Sequence, residues 1–122
     1  MKTVLIVEDN EKNMKLARDI LRAKGYATLE ATTGGEGVRL ALAHKPDLVL
    51  MDIQLPDING IDAFERIRAD AATVPVVAFT ASVTPGDRKS IGDAGFDGFL
   101  SKPINLKEFV ETVRRLAGEP TP

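Results

Sequence analysis

Short β-rich runs alternating with helix-period segments predict an open, doubly wound α/β fold for this 122-residue chain. Two further observations support it. Three of the five runs are almost continuously apolar, which is how strands covered on both faces of a parallel sheet read. The segments between them carry helix start and stop signals at the expected places.

The runs are Val4-Leu5-Ile6-Val7, Ala27-Thr28-Leu29-Glu30, Leu48-Val49-Leu50-Met51, Val76-Val77-Ala78-Phe79 and Gly98-Phe99-Leu100. After the first run, Met14, Ala17, Ile20 and Leu21 form an apolar stripe that Gly25 closes. Ile61, Phe64 and Ile67 repeat the pattern after Gly60. Thr84-Pro85-Gly86-Asp87 supplies an N-cap, a proline at the first helical position and an acid in the first turn. Asn105 with Glu108 resembles a capping box, followed by Leu106, Phe109, Val110, Val113 and Leu116 at helical spacing. Five βα repeats imply right-handed crossovers. With no linker, internal repeat or low-complexity run, residues 1–122 are expected to form a single domain with a frayed tail at 118–122 and no output domain.

Composition narrows the function. Sixteen basic and 18 acidic residues leave a formal charge of -2, so no field attracts nucleic acid. Without cysteine there is no disulfide, thiolate metal site or thiol chemistry. The apolar stretch after Thr3 is too short for a signal peptide or a membrane span, so a cytoplasmic location is expected.

In open α/β sheets, ligands bind beyond the carboxyl ends of the strands. Glu8, Asp9 and Asn10 follow the first run, Asp52 the third, Thr80, Ala81 and Ser82 the fourth, and Ser101, Lys102 and Pro103 the fifth. On position alone, Asp52 is either a reactive carboxylate at the end of an apolar run or a cap on the turn into Leu55-Pro56. Glu8 and Asp9 are either helix caps, a part that Asn10 could equally play, or a metal pair. Acids crowded at one sheet edge repel, and one of them has its pKa raised. A hard divalent cation relieves that conflict, since Mg²⁺ takes one or two carboxylates, waters and phosphate oxygens. The absence of His and Cys from this set disfavours Zn²⁺. Lys102 is either a solvated loop charge or a counter-ion for Asp52, and Thr80 either a plain strand threonine or a donor to a phosphoryl oxygen.

The combination Val7-Glu8-Asp9-Asn10, Leu50-Met51-Asp52-Ile53-Gln54-Leu55-Pro56, Asn59-Gly60, Thr80-Ala81 and Ser101-Lys102-Pro103 resembles the response-regulator receiver family of two-component signalling, the CheY-like superfamily. The segment from Glu8 to Leu16, with Lys45-Pro46-Asp47-Leu48 and Ser101-Lys102-Pro103-Ile104, is most similar to its stand-alone DivK group. The resemblance implies a flavodoxin/CheY-like fold, with a five-stranded parallel sheet in the order 2-1-3-4-5 flanked by five helices. It makes Asp52 the phosphoacceptor and Lys102 the phosphate-binding lysine, joined to Pro103 by a cis peptide. Asp9, Asp52 and the main-chain carbonyl of Gln54 become Mg²⁺ ligands, with Glu8 acting through water and Mn²⁺ as a substitute. Thr80 and Phe99 become switch residues, Phe99 without the hydroxyl of a tyrosine, and Gln54 and Ser82 tune loss of the phosphoryl group.

Function follows by the same implication. The chain is a phosphorylation switch and not an enzyme on other substrates. It takes its phosphoryl group from a histidine kinase or His-phosphotransfer protein, and is a monomer with a dimer as a phosphorylated alternative. The competing roles are a phosphorelay intermediate and an interaction module that works without phosphate. A haloacid-dehalogenase-type phosphatase wants an acid where Gln54 stands. A flavin carrier wants a hydroxyl- and glycine-rich loop where Glu8-Asp9 stands. No Walker loop is present, and His44 ends a helix as a surface residue.

Overall fold

The structure, a computed structural model, describes residues 2–81 and 84–120. Five strands, β1 (Thr3–Val7), β2 (Ala27–Ala31), β3 (Leu48–Met51), β4 (Val76–Thr80) and β5 (Gly98–Ser101), alternate with five helices. These are α1 (Glu11–Ala23), α2 (Gly34–His44), α3 (Gly60–Asp70), α4 (Pro85–Ala94) and α5 (Leu106–Ala117). All strand pairs are parallel, in the order β2-β1-β3-β4-β5. The expected fold class and strand order therefore hold.

Side-chain alternation sorts the interior strands into two cores. Val4, Ile6, Leu48, Leu50, Val77 and Phe79 face α1 and α5, meeting Met14, Ala17, Leu21, Phe109 and Val113. Leu5, Val7, Val49, Met51 and Val76 point the other way, toward Ala41 of α2 and Ala63, Phe64 and Ile67 of α3. The three apolar runs are these central strands, buried along all or nearly all their length, whereas edge strands β2 and β5 are partly exposed.

Helix starts follow the sequence signals. Asn10 Oδ1 accepts from the N–H groups of Lys12 and Asn13, and Thr84 Oγ1 from Asp87. Asn105 Oδ1 accepts from Glu108. Gly25 lies at φ 94°, just beyond the last turn of α1, in the left-handed region glycine favours. One expectation fails: Leu106, in the first turn of α5, faces solvent at 56% exposure while Phe109 and Val113 carry the buried stripe. His44 ends α2, exposed as expected. No described helix is long and apolar enough to cross a membrane.

Gly60 opens α3 against the backbone of the segment after β3. A Cβ there would lie 2.2 Å from the Asp52 carbonyl oxygen and 2.7 Å from Ile53 Cα, atoms that cannot swing aside. Gly60→Ala is expected to destabilise the protein by about 1–3 kcal/mol, the usual cost of overpacking. Gly92→Ala, at an open position of α4, should instead stabilise it by about 0.5–1 kcal/mol. Urea unfolding of both variants checks the pair.

Candidate functional site

The carboxyl ends of β1, β3, β4 and β5 come together at one edge, as the sequence reading requires. Glu8 continues the line of β1, its N–H donating to the Ala31 carbonyl at 2.9 Å, and Asp52 does so for β3, donating to Val7 at 3.0 Å. These backbone bonds place both side chains over the sheet, where Glu8 is fully buried and Asp52 is 5% exposed. Asp9, the next residue along, is exposed. The adjacent pair in sequence is thus split, one carboxylate inside and one outside. Neither caps α1, because Asn10 does. Oxygens of Glu8, Asp9 and Asp52 all lie within 4.8 Å of one another.

Lys102 reaches this cluster from the end of β5. Its N–H donates to the Thr80 carbonyl at 3.0 Å, and the Lys102–Pro103 peptide is cis, as expected. Lys102 Nζ donates to Glu8 Oε1 at 2.6 Å and Oε2 at 2.9 Å, and to Asp52 Oδ2 at the longer 3.3 Å. The sequence reading paired this lysine with Asp52, but its shorter contacts are to Glu8. The Phe79 ring centroid lies 5.0 Å from the ammonium and closes its apolar side. Asp52 Oδ1 accepts from the Gln54 N–H at 3.1 Å. Thr80, at the end of β4, is 1% exposed.

Burial raises the Glu8 carboxyl from its ordinary 4.5 to about 7, and hydrogen bonding with Asp52 adds to this while Lys102 opposes it. The direction is the one expected for crowded acids, but burial is its larger cause and the neighbouring acid the smaller one. Phe99 is half-buried on β5, with the Arg88 guanidinium 4.7 Å above its ring centroid. Ser82 lies outside the described residues.

Sequence reasoning missed Asp57. Its two carboxylate oxygens accept from the N–H groups of Gly34 and Gly35 at 2.7 and 2.8 Å, holding its pKa down. The partners lie more than twenty residues upstream. Only the bare amides of the Gly34-Gly35 helix start hint at a distant acceptor.

Comparison with known proteins agrees with this geometry. The family model for the response regulator receiver domain matches residues 4–114. The chain belongs to the response regulator receiver family. It is 43% identical over 120 residues to the polar-differentiation response regulator DivK of Brucella anthropi, covering 97% of this chain and 98% of the relative. DivK of Brucella ovis shows the same identity and coverage. A CheY-like receiver from Methanospirillum hungatei superimposes with a TM-score of 0.90 at 27% identity, covering 98% of this chain and 96% of that one. The receiver domain of a sensor histidine kinase from Pseudomonas aeruginosa superimposes at 0.89 with 34% identity, covering 96% and 98%. That structure has a magnesium ion coordinated in its active site cleft. Receivers are signalling domains that act with histidine kinases and phosphotransfer proteins, and in this one the acidic cluster can hold a metal ion.

The raised Glu8 pKa has a consequence for metal-free protein. From pH 4.5 to about 7 the unfolded chain loses a proton that folded Glu8 keeps. The folded state then binds more protons, so this group's contribution to stability falls as pH rises through that window. Urea melts in a chelator should show the wild type losing stability relative to Glu8→Gln as pH rises, the difference levelling off above about 7.

Proposed function

We propose that this receiver accepts a phosphoryl group on Asp52 from a phosphohistidine, with Mg²⁺ bound, and thereby changes its affinity for partner proteins, histidine kinases among them. The observation that carries the reading is the convergence of Asp52 with Glu8, Asp9 and Lys102 on one sheet edge. An all-oxygen donor set suits a hard divalent cation. Asp9, Asp52 and the Gln54 carbonyl would hold it directly and Glu8 through water, with Mn²⁺ as a substitute. The ion, when bound, neutralises negative charge on the transferring group.

The chain's own part is positioning and electrostatics. An Asp52 carboxylate oxygen attacks phosphorus as the P–N bond to the donor imidazole breaks, the departing nitrogen keeping the electron pair. Lys102, already beside Asp52, turns from Glu8 toward the new phosphoryl oxygens. Thr80 donates its hydroxyl to another of them. Hydrolysis later returns the carboxylate, and Gln54 and Ser82 are the residues assigned to tune its rate. Moving a two-state element from mostly off to mostly on needs about 5.5 kcal/mol. Two or three hydrogen bonds to charged groups, each about 1.5–3 kcal/mol, supply it. The readout is the surface of α4, β5 and α5, where Phe99 and Arg88 meet. The similarity to a polar-differentiation response regulator supports a role in polarity signalling, and a cytoplasmic place among cell-cycle kinases belongs to the same reading.

Intact mass after incubation with acetyl phosphate tests the chemistry. One phosphoryl group should be added, only with Mg²⁺, and not in Asp52→Asn. Mg²⁺-dependent labelling of Asp52→Asn would remove Asp52 from its role.

Docking of a protein donor makes a separate prediction. Among the described residues, Leu16 and Leu106 are the large apolar side chains left exposed. Both sit in the N-terminal halves of their helices, the ends that lie at the site edge. Leu16→Glu and Leu106→Glu should each slow transfer from a His-phosphotransfer protein about tenfold, while labelling by acetyl phosphate is unchanged.

A further inference from the structure

The segment between β3 and α3 carries Gln54 but belongs to no strand or helix, so its position depends on a few bonds. At its start, the Gln54 N–H donates to Asp52. At its end, the Gly60 N–H donates to the Ile53 carbonyl at 2.9 Å. Between them, Asp57 grips the first turn of α2 with one oxygen on the Gly34 N–H and the other on the Gly35 N–H, at 2.7 and 2.8 Å. Thr33 already caps that helix locally, accepting from Glu36, so Asp57 is a second, distant clasp on it.

The clasp is a close fit. A Cβ on Gly34 would lie 2.4 Å from Ile58 Cγ1, so Ile58 packs directly over the helix start. A cleft of about 540 Å³ opens between the segment and α4, lined by Gln54, Ile58, Asn59, Asp87 and Ile91 among others. Two hydrogen bonds to a charged acceptor are strong, and two points of attachment fix direction as well as distance. The depressed Asp57 pKa has the same cause, the Gly35 and Gly34 amides.

We propose that Asp57 is a positioning residue for the metal site. By bracing residues 53–59 against α2, it holds the Gln54 carbonyl where a divalent cation on Asp9 and Asp52 needs it. This rests on the reading of Gln54 as a ligand given above. Ligand atoms borne on irregular backbone gain affinity from whatever holds that backbone in place. The brace also ties α2, on the opposite flank of the sheet from α1 and α5, to the reacting centre.

Mg²⁺ titration by calorimetry on wild type, Asp57→Asn and Asp57→Ala tests this, alongside thermal melts and hydrogen exchange of residues 53–59. Loss of an outer-shell support typically weakens a metal site by about 10–100-fold. Asp57→Ala should therefore bind Mg²⁺ about tenfold more weakly, at temperatures where it is fully folded, with faster exchange in the segment. Asp57→Asn, which keeps one acceptor oxygen, should fall between it and the wild type. Lower melting temperatures with unchanged Mg²⁺ affinity would overturn the proposal and leave Asp57 a helix cap. A wild type that binds no Mg²⁺ would overturn the metal reading itself, and this inference with it. Should Asp57→Ala fail to fold, the affinity of Asp57→Asn decides the matter.

Discussion

Everything at the carboxyl edge of the sheet depends on keeping carboxylates where water scarcely reaches. Glu8 is fully buried and Asp52 nearly so, and two such charges side by side are unfavourable unless compensated. Among the described residues, Lys102 alone pairs with either of them. Part of the remaining conflict is expressed in the Glu8 carboxyl, whose pKa burial raises to about 7. A divalent cation would relieve that conflict. The tension is thus a property of the folded chain before any donor arrives, and charge brought to the edge meets groups already in place.

The fold supplies the rigidity this arrangement needs. Because β1 and β3 are paired on both sides and packed on both faces, the residues that follow them leave the sheet with little freedom. Capped helices close the segments that follow: Asn10 starts α1 two residues beyond Glu8, and Asn59 starts α3 seven residues beyond Asp52, with Gly60 pressed on the Asp52 backbone.

Much of this was legible in the sequence, and the failures share a cause. Unbroken apolar runs identified the central strands because burial on both faces erases alternation. The caps Thr84 and Asn105 read correctly because they act within three residues of themselves, whereas Asn10 was one of three candidates for α1. Glu8 and Asp9 looked equivalent, since nothing local tells which one remains in line with the strand. That Lys102 grips Glu8 more closely than Asp52 depends on a contact across 94 residues. The two bonds of Asp57 to α2 are likewise invisible to any local pattern. Leu106 has the right spacing for a buried stripe, yet the whole first turn of α5 before Phe109 is exposed. The strand order and residue roles came from resemblance to a family, not from periodicity.

The two halves of the central charge pair are anchored unequally. Asp52 leaves an interior strand, with a hydrogen-bonded neighbour on either side, whereas Lys102 leaves β5, which has a neighbour on one side only. Shifting the aspartate would disrupt two ladders, but shifting the lysine disrupts one. In mechanical terms Asp52 is a stator and the border strand a rotor, so any rearrangement of the pair would be carried outward through β5. The ring of Phe99 rides on that strand, under a guanidinium that belongs to a different element. Displacement of the strand by a fraction of a side-chain width would slide one past the other, turning a change of charge inside the molecule into a change of relief on its skin.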